Sequence, residues 1–174
     1  MNLVKPIYRL AGLTAMFGAL LLLAVMLMIV VSVFGRALIG LGLGPIPGDF
    51  EMVEVGTAIA IFFFLPWTSL KGGHATVELL FMYLPIWAKR VVVILSDLLM
   101  LIVWLLLTRM LYEGMLEKRE NLETTFILAM PVWWAYALCL VGAIVGCLAY
   151  VARTATLIGI SKEPEGWTTE AGVH

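Results

Sequence analysis

One acid lies inside a long apolar run. Asp97 falls within the run from Lys89 to Met110. A carboxylate in hydrocarbon is expensive, so such a residue is by default a candidate proton relay or ligand for a coupling cation. Its nearest polar neighbours in the run are Ser96 and Thr108, and no intramembrane base is evident for it in this chain. The plainer alternative is an acid near one end of a helix, hydrogen-bonded within a bundle or to a partner chain. A second charged group comprises Asp49, Glu51 and Glu54, preceded by Arg36. Arg36 closes one apolar run and the acids open the next, so they sit at helix ends whose dipoles favour those signs. Arg36, Glu51 and Glu54 are therefore candidates for structural ion pairing across a helix hairpin, with a solvated set of interfacial charges as the alternative.

The remaining chemistry-bearing residues form no catalytic pattern. His74 and His174 are the only histidines, and neither lies within an apolar run. That argues against a haem anchor, whose axial ligands must come from inside the helices. His74 and Glu78 stand four apart, but two ligands do not make a metal site. Cys139 and Cys147 stand eight apart on one expected helix. That spacing is about 12 Å along the helix axis, beyond disulfide reach. They read as small packing residues. Gly40-Leu41-Gly42-Leu43-Gly44 follows no strand and reads as a turn rather than a dinucleotide loop. No enzyme activity and no cofactor is expected of this chain.

These residues must be positioned by membrane-spanning helices. The chain has 174 residues, 63% hydrophobic and 13% charged, with mean hydropathy +1.05. A soluble domain is nearer half apolar and a quarter charged. A net charge of −1 gives no footprint for nucleic acid. A span needs about 20 apolar residues. Four runs meet that length, at about residues 10–35, 49–70, 89–110 and 131–153. The first follows Lys5 and Arg9 as a signal peptide would, but it is longer than a signal core and lacks a convincing cleavage site, so it is expected to stay as a helix. Pro66 is expected to kink or end the second span, and Gly72-Gly73 to terminate it. Pro131 suits the first position of the fourth helix, with Trp133, Trp134 and Tyr136 in its aromatic belt.

Two segments do not fit a simple span. Residues 75–87 are apolar except for Glu78 but too short to cross, and predict a helix lying along the cytoplasmic interface between spans two and three. Residues 122–130 form an apolar loop before Pro131, and such a loop needs cover from protein. Phe126, Ile127, Pro131, Trp133 and Trp134 are therefore candidate partner-interface residues. Gly142-x-x-x-Gly146 joins them as a motif for close helix approach. Residues 113–123 read as a solvated extension or loop, and 161–174 as a disordered tail after one membrane domain over residues 1–160. Lys and Arg favour one side: Lys5, Arg9, Lys71, Lys89, Arg90, Arg153 and Lys162 against Arg36, Arg109, Lys118 and Arg119. That excess places both termini in the cytoplasm. The fold class is thus an all-α integral membrane protein of four transmembrane helices plus an interfacial helix.

Four stretches in this order resemble the small membrane, or Q-type, subunit of TRAP (tripartite ATP-independent periplasmic) transporters. They are Val33-Phe34-Gly35-Arg36, the run from Pro47 to Glu54, the run from Gly72 to Leu80, and Pro131-Val132-Trp133-Trp134-Ala135-Tyr136. The resemblance extends over nearly the whole chain, although the third span carries little of it and lends Asp97 no support. It implies a bacterial inner-membrane complex with a larger membrane subunit, which holds the substrate and sodium sites, and a periplasmic binding protein. The cargo implied is an organic acid of sialic acid or C4-dicarboxylate type. The small subunit would brace and anchor the static scaffold among membrane lipids. Two other readings stand beside it: a self-contained proton-coupled carrier acting as a homodimer through Asp97, and a redox-complex anchor, which the histidine positions disfavour.

Overall fold

The structure, a computed structural model, describes residues 4–71 and 85–157. Four long helices account for most of them: α1 (Val4–Ala37), α2 (Asp49–Leu70), α3 (Ile86–Glu120) and α4 (Trp133–Leu157). Each is long and apolar enough to cross a bilayer. The interfacial helix expected over 75–87 falls on residues outside the described set, except that Ile86 and Trp87 begin α3. His74, Glu78 and the tail from 161 also lie outside it.

Two helices run beyond their apolar stretches. Among the described residues helix α1 runs from Val4, ahead of its apolar stretch. Helix α3 continues past Met110 to Glu120, through a segment of good helix formers. There Arg109 pairs with Glu113 one turn on, at 2.8 Å, a spacing that brings side chains together on one helix face. The length of α3 is 35 residues. That amounts to about 52 Å, against about 30 Å of hydrocarbon. Helix α4 instead starts late. Pro131 lies in a bridge with Thr124, and its carbonyl accepts the N–H of Trp134 as α4 begins.

Burial fixes the arrangement. Of the most apolar stretch in each helix, 44% is buried in α4 and 33% in α2, but only 17% in α1 and 11% in α3. Helices α2 and α4 are thus the interior ones. Helix α1 packs mainly on α2, and α3 on α4, so α1 and α3 form the edges. The inner face of α1 is a seam of Val4, Ala11, Gly18, Val25 and Ser32, repeated every seven residues. A strict seven-residue period keeps one seam facing its partner through a left-handed crossing. Small residues alternate across it: Gly18 receives Phe63 of α2, and Gly56 of α2 receives Val25.

The α2–α4 contact depends on a proline. Pro66 lies inside α2 and does not end it; the helix continues to Leu70. Having no N–H, Pro66 leaves the Phe62 carbonyl without its helical donor. Gly142 of α4 sits against that carbonyl, so close that a Cβ there would lie 2.6 Å from the oxygen. A Cα–H face therefore covers the group that the proline exposes, one of the ways a bundle tolerates an intramembrane proline. One turn on, Gly146 receives the Trp104 ring of α3. Trp104 is buried, meets Phe62 edge-on at 6.4 Å and leans on Tyr150 at 6.3 Å.

Candidate functional site

At the end of the bundle where α1 starts, the sharpest sequence candidate finds a partner. Asp97 of α3 accepts a hydrogen bond from Arg153 Nε at 2.9 Å, with the two side chains only 7% and 14% exposed. Arg153 Nη1 also donates to the Ser69 carbonyl of α2 at 2.6 Å. One guanidinium thus joins three helices. The expectation that Asp97 lacks an intramembrane base in this chain is therefore corrected. By sequence Arg153 counts as a flanking charge, yet α4 continues to Leu157 and turns Arg153 inward. The ionic groups neutralise each other and bind helices together. In the hydrocarbon setting that arrangement is a clamp rather than an open proton or cation site.

At the opposite end a second polar set ties the loops to the helices. Ser32, the last residue of the α1 seam, donates to Asp49 Oδ2 at 2.6 Å and accepts the Ile46 N–H at 3.2 Å. Arg36 meets the same carboxylate at 3.3 Å. The expectation that Arg36 pairs with Glu51 or Glu54 is therefore corrected: its partner is Asp49, the one acid of the group not named as a candidate. The short 39–48 connection brings Asp49 nearest, while Glu51 has turned toward other donors and Glu54 is exposed.

Glu51 instead holds the 122–132 loop. Its two oxygens accept the N–H groups of Ile127 at 2.7 Å and Leu128 at 3.0 Å. The loop closes on itself through the Thr124–Pro131 bridge, through Thr125 N–H to the Met130 carbonyl at 2.9 Å, and through Val132 N–H to the Glu123 carbonyl at 3.0 Å. Leu128 seats against Gly48, which has φ 76° and no room for a Cβ beside the leucine. Glycine takes that left-handed conformation without steric cost. Lys118, at the end of α3, reaches Glu123 at 2.8 Å and holds its carboxyl below the usual range. Arg119 lies over the Trp133 ring at 5.7 Å.

The expected interface residues therefore divide. Phe126 is fully exposed at the tip of this anchored loop, and Ile127, Pro131 and Trp134 are exposed beside it. Trp133 is half-buried under Arg119. Gly142 and Gly146 are a correction: both are buried, against Phe62 and Trp104 of this chain, and leave no surface for another. Their smallness predicts a close neighbour but not whose helix it is. Beneath the loop runs an apolar groove of about 370 Å³ between α1, α2 and α4, with Val25, Gly56 and Leu138 among its lining. Among the described residues, no cluster of three or more His, Cys, Asp or Glu side chains is placed to hold a metal ion.

The family model for the DctQ component of tripartite ATP-independent periplasmic transporters matches residues 25–159. The matched stretch takes in the second part of α1, the whole of α2, α3 and α4, and the anchored loop. Comparison with curated proteins and with solved structures gives no match.

Proposed function

We propose, from the fact that this chain belongs to the DctQ component family of tripartite ATP-independent periplasmic transporters, that it is the brace of such a transporter rather than its carrier. As a component of a tripartite system it is a multi-pass transporter subunit of a family that is not an enzyme family. In this reading it anchors a larger membrane subunit in the bacterial inner membrane, with both termini cytoplasmic. The larger subunit holds the coupling sodium and the substrate. A periplasmic binding protein delivers an organic acid of the sialic acid or C4-dicarboxylate type. This chain itself carries no cofactor.

One observation carries the reading. The acid that a carrier would use, Asp97, is engaged by Arg153, and that same arginine ties α3 and α4 to α2. A proton-coupled homodimer working through Asp97 would need that carboxylate to load and unload, which the clamp opposes. The brace reading also gives a use to the exposed loop tip. A rigid apolar tip of Phe126 and Ile127, held by Glu51, suits a fixed contact with another protein.

The test is isolation of the tagged chain from its native membrane. The expected result is stoichiometric retention of a larger membrane subunit, with photo-crosslinks from positions 126 and 134 and none from 142. A monodisperse homodimer that transports an organic acid by itself in liposomes would overturn the proposal.

A further inference from the structure

Along the outer side of the α1–α2 pair lies a second groove of about 590 Å³. Its floor is made of small residues of α1, Gly12, Ala15 and Ala19, and its far wall of Phe64 and Trp67 from α2. Trp67 reaches across to Gly12, where a Cβ would lie 3.1 Å from the ring. One cation stands in the lining, Arg9, at the end where the helix begins. It is exposed and belongs to none of the ion pairs among the described residues. Lys71 adds a second positive charge at the same level, its ammonium 5.2 Å from the centre of a Trp67 ring and 5.7 Å from that of Tyr8.

The dimensions identify the occupant. Arg9 and Ala19 mark the two ends of the groove along α1. The ten-residue step from Arg9 to Ala19 rises about 15 Å, which is half of a hydrocarbon core of about 30 Å. The groove is therefore one leaflet deep. Its apolar length begins at a cationic, aromatic level of Arg9, Tyr8, Trp67 and Lys71, the composition of a headgroup boundary. We propose that this groove holds one acyl chain of an anionic glycerophospholipid, with the phosphate on Arg9 and the chain lying over Gly12, Ala15 and Ala19 against Trp67. Arg9 matches a phosphate by bidentate hydrogen bonding as well as by charge. Apolar chain alone would fill the groove without preference for headgroup, so the charge at its mouth is what makes the site selective. This proposal stands apart from the brace reading and survives its failure.

Trp67 provides the probe. The full-length chain is reconstituted in phosphatidylcholine vesicles containing a minor fraction of lipid brominated on its acyl chains, either phosphatidylglycerol or phosphatidylcholine. The Trp67 contribution is isolated by subtracting the Trp67→Phe signal. Brominated phosphatidylglycerol is expected to quench it at a mole fraction about fivefold lower than brominated phosphatidylcholine, the preference one basic residue carries near an anionic headgroup. Arg9→Gln should remove that preference and Arg9→Lys should keep most of it. Native mass spectrometry offers a second readout that needs no tryptophan variant: wild type should retain phosphatidylglycerol through delipidation and Arg9→Gln should not. Equal quenching by the two lipids, or a preference unchanged in Arg9→Gln, overturns the site. So does loss of quenching when the measurement is repeated on the assembled complex, because the groove would then belong to a protein contact.

Discussion

Replacing Asp97 by alanine takes the carboxylate away from the Arg153 guanidinium and leaves that cation inside the bundle, where the Ser69 carbonyl still lies 2.6 Å away. Arginine does not shed its charge, so the loss cannot be relieved by deprotonation. The two side chains of the pair are only 14% and 7% exposed. Breaking a pair so well shielded from one side costs about 3–5 kcal/mol. That is about two to nearly four powers of ten in the ratio of folded to unfolded chain. Arg153→Met, which leaves the carboxylate behind, should cost a similar amount. Replacing both residues with apolar ones of similar volume, Asp97→Leu with Arg153→Met, removes the charges together and should restore stability to within about 1 kcal/mol of wild type. With Asp97→Leu as the single at position 97, which strands Arg153 just as alanine does, the cycle closes and predicts a coupling of about 5 kcal/mol or more between residues 97 and 153. The assay is SDS titration of the purified chain in mixed micelles, followed with a thiol-reactive dye. Cys139 is buried at 4% exposure on α4 and becomes labelled as α4 separates. In the assembled transporter, the double variant should still support substrate uptake. A single variant that loses less than about 1 kcal/mol, or a double variant as unstable as the singles, would refute the clamp.

Three further outcomes follow from the packing and the loop. Gly142→Ala should destabilise by about 1–3 kcal/mol in the same titration despite alanine's better helix propensity. It should cost more than Gly146→Ala, because its new methyl meets a backbone carbonyl rather than a side chain that can shift; an equally stable Gly142→Ala would contradict the close approach. Glu51→Ala removes the acceptor for the Ile127 and Leu128 N–H groups. It should raise amide exchange at those two residues at least about tenfold while the centre of α2 stays protected, and unchanged exchange would show that the loop is held otherwise. Phe126→Ser replaces a ring that is fully exposed. It should change stability by less than about 0.5 kcal/mol, yet reduce recovery of the larger subunit in pull-downs; undiminished recovery would place the partner contact elsewhere.

Hydropathy locates the crossings well because hydrocarbon is a demanding solvent, and it locates the helix ends poorly for the same reason. Nothing in an apolarity count requires α3 to stop where its apolar run stops, and the Arg109–Glu113 pair carries the helix onward into water. The role of Arg153 is readable in principle. It falls on the small-residue stripe of α4, seven residues after Gly146 and eleven after Gly142, and so on the face that turns inward. Counting it as a flanking charge hides that position. The partner of Arg36 is legible only as a group of acids, because the choice of Asp49 depends on Ser32 and on the path of the 39–48 connection. For the glycine pair the sequence supplies the size of the gap between helices and not the identity of the neighbour. An exposed tip such as Phe126 is different. Apolar residues in a segment too polar at its edges to enter the bilayer are visible from sequence alone, although the Glu51 anchor, 76 residues away from Ile127, is not.

The two contacts that join α3 to α4, Trp104 at Gly146 and Asp97 at Arg153, also set the depth of α3. Most of the apolar stretch of α3 is left uncovered by the rest of the chain, and a leucine-rich cylinder in an apolar medium can slide along its own axis by exchanging one leucine contact for another. Trp104 in the Gly146 socket opposes rotation. The Asp97–Arg153 pair, closed at 2.9 Å, opposes translation most sharply. A slip of one helical turn, about 5.4 Å, would carry the carboxylate out of reach of the guanidinium. The pair is thus a vernier mark, setting how far the charged end of α3 stands above the membrane and hence the height of the loop that follows it.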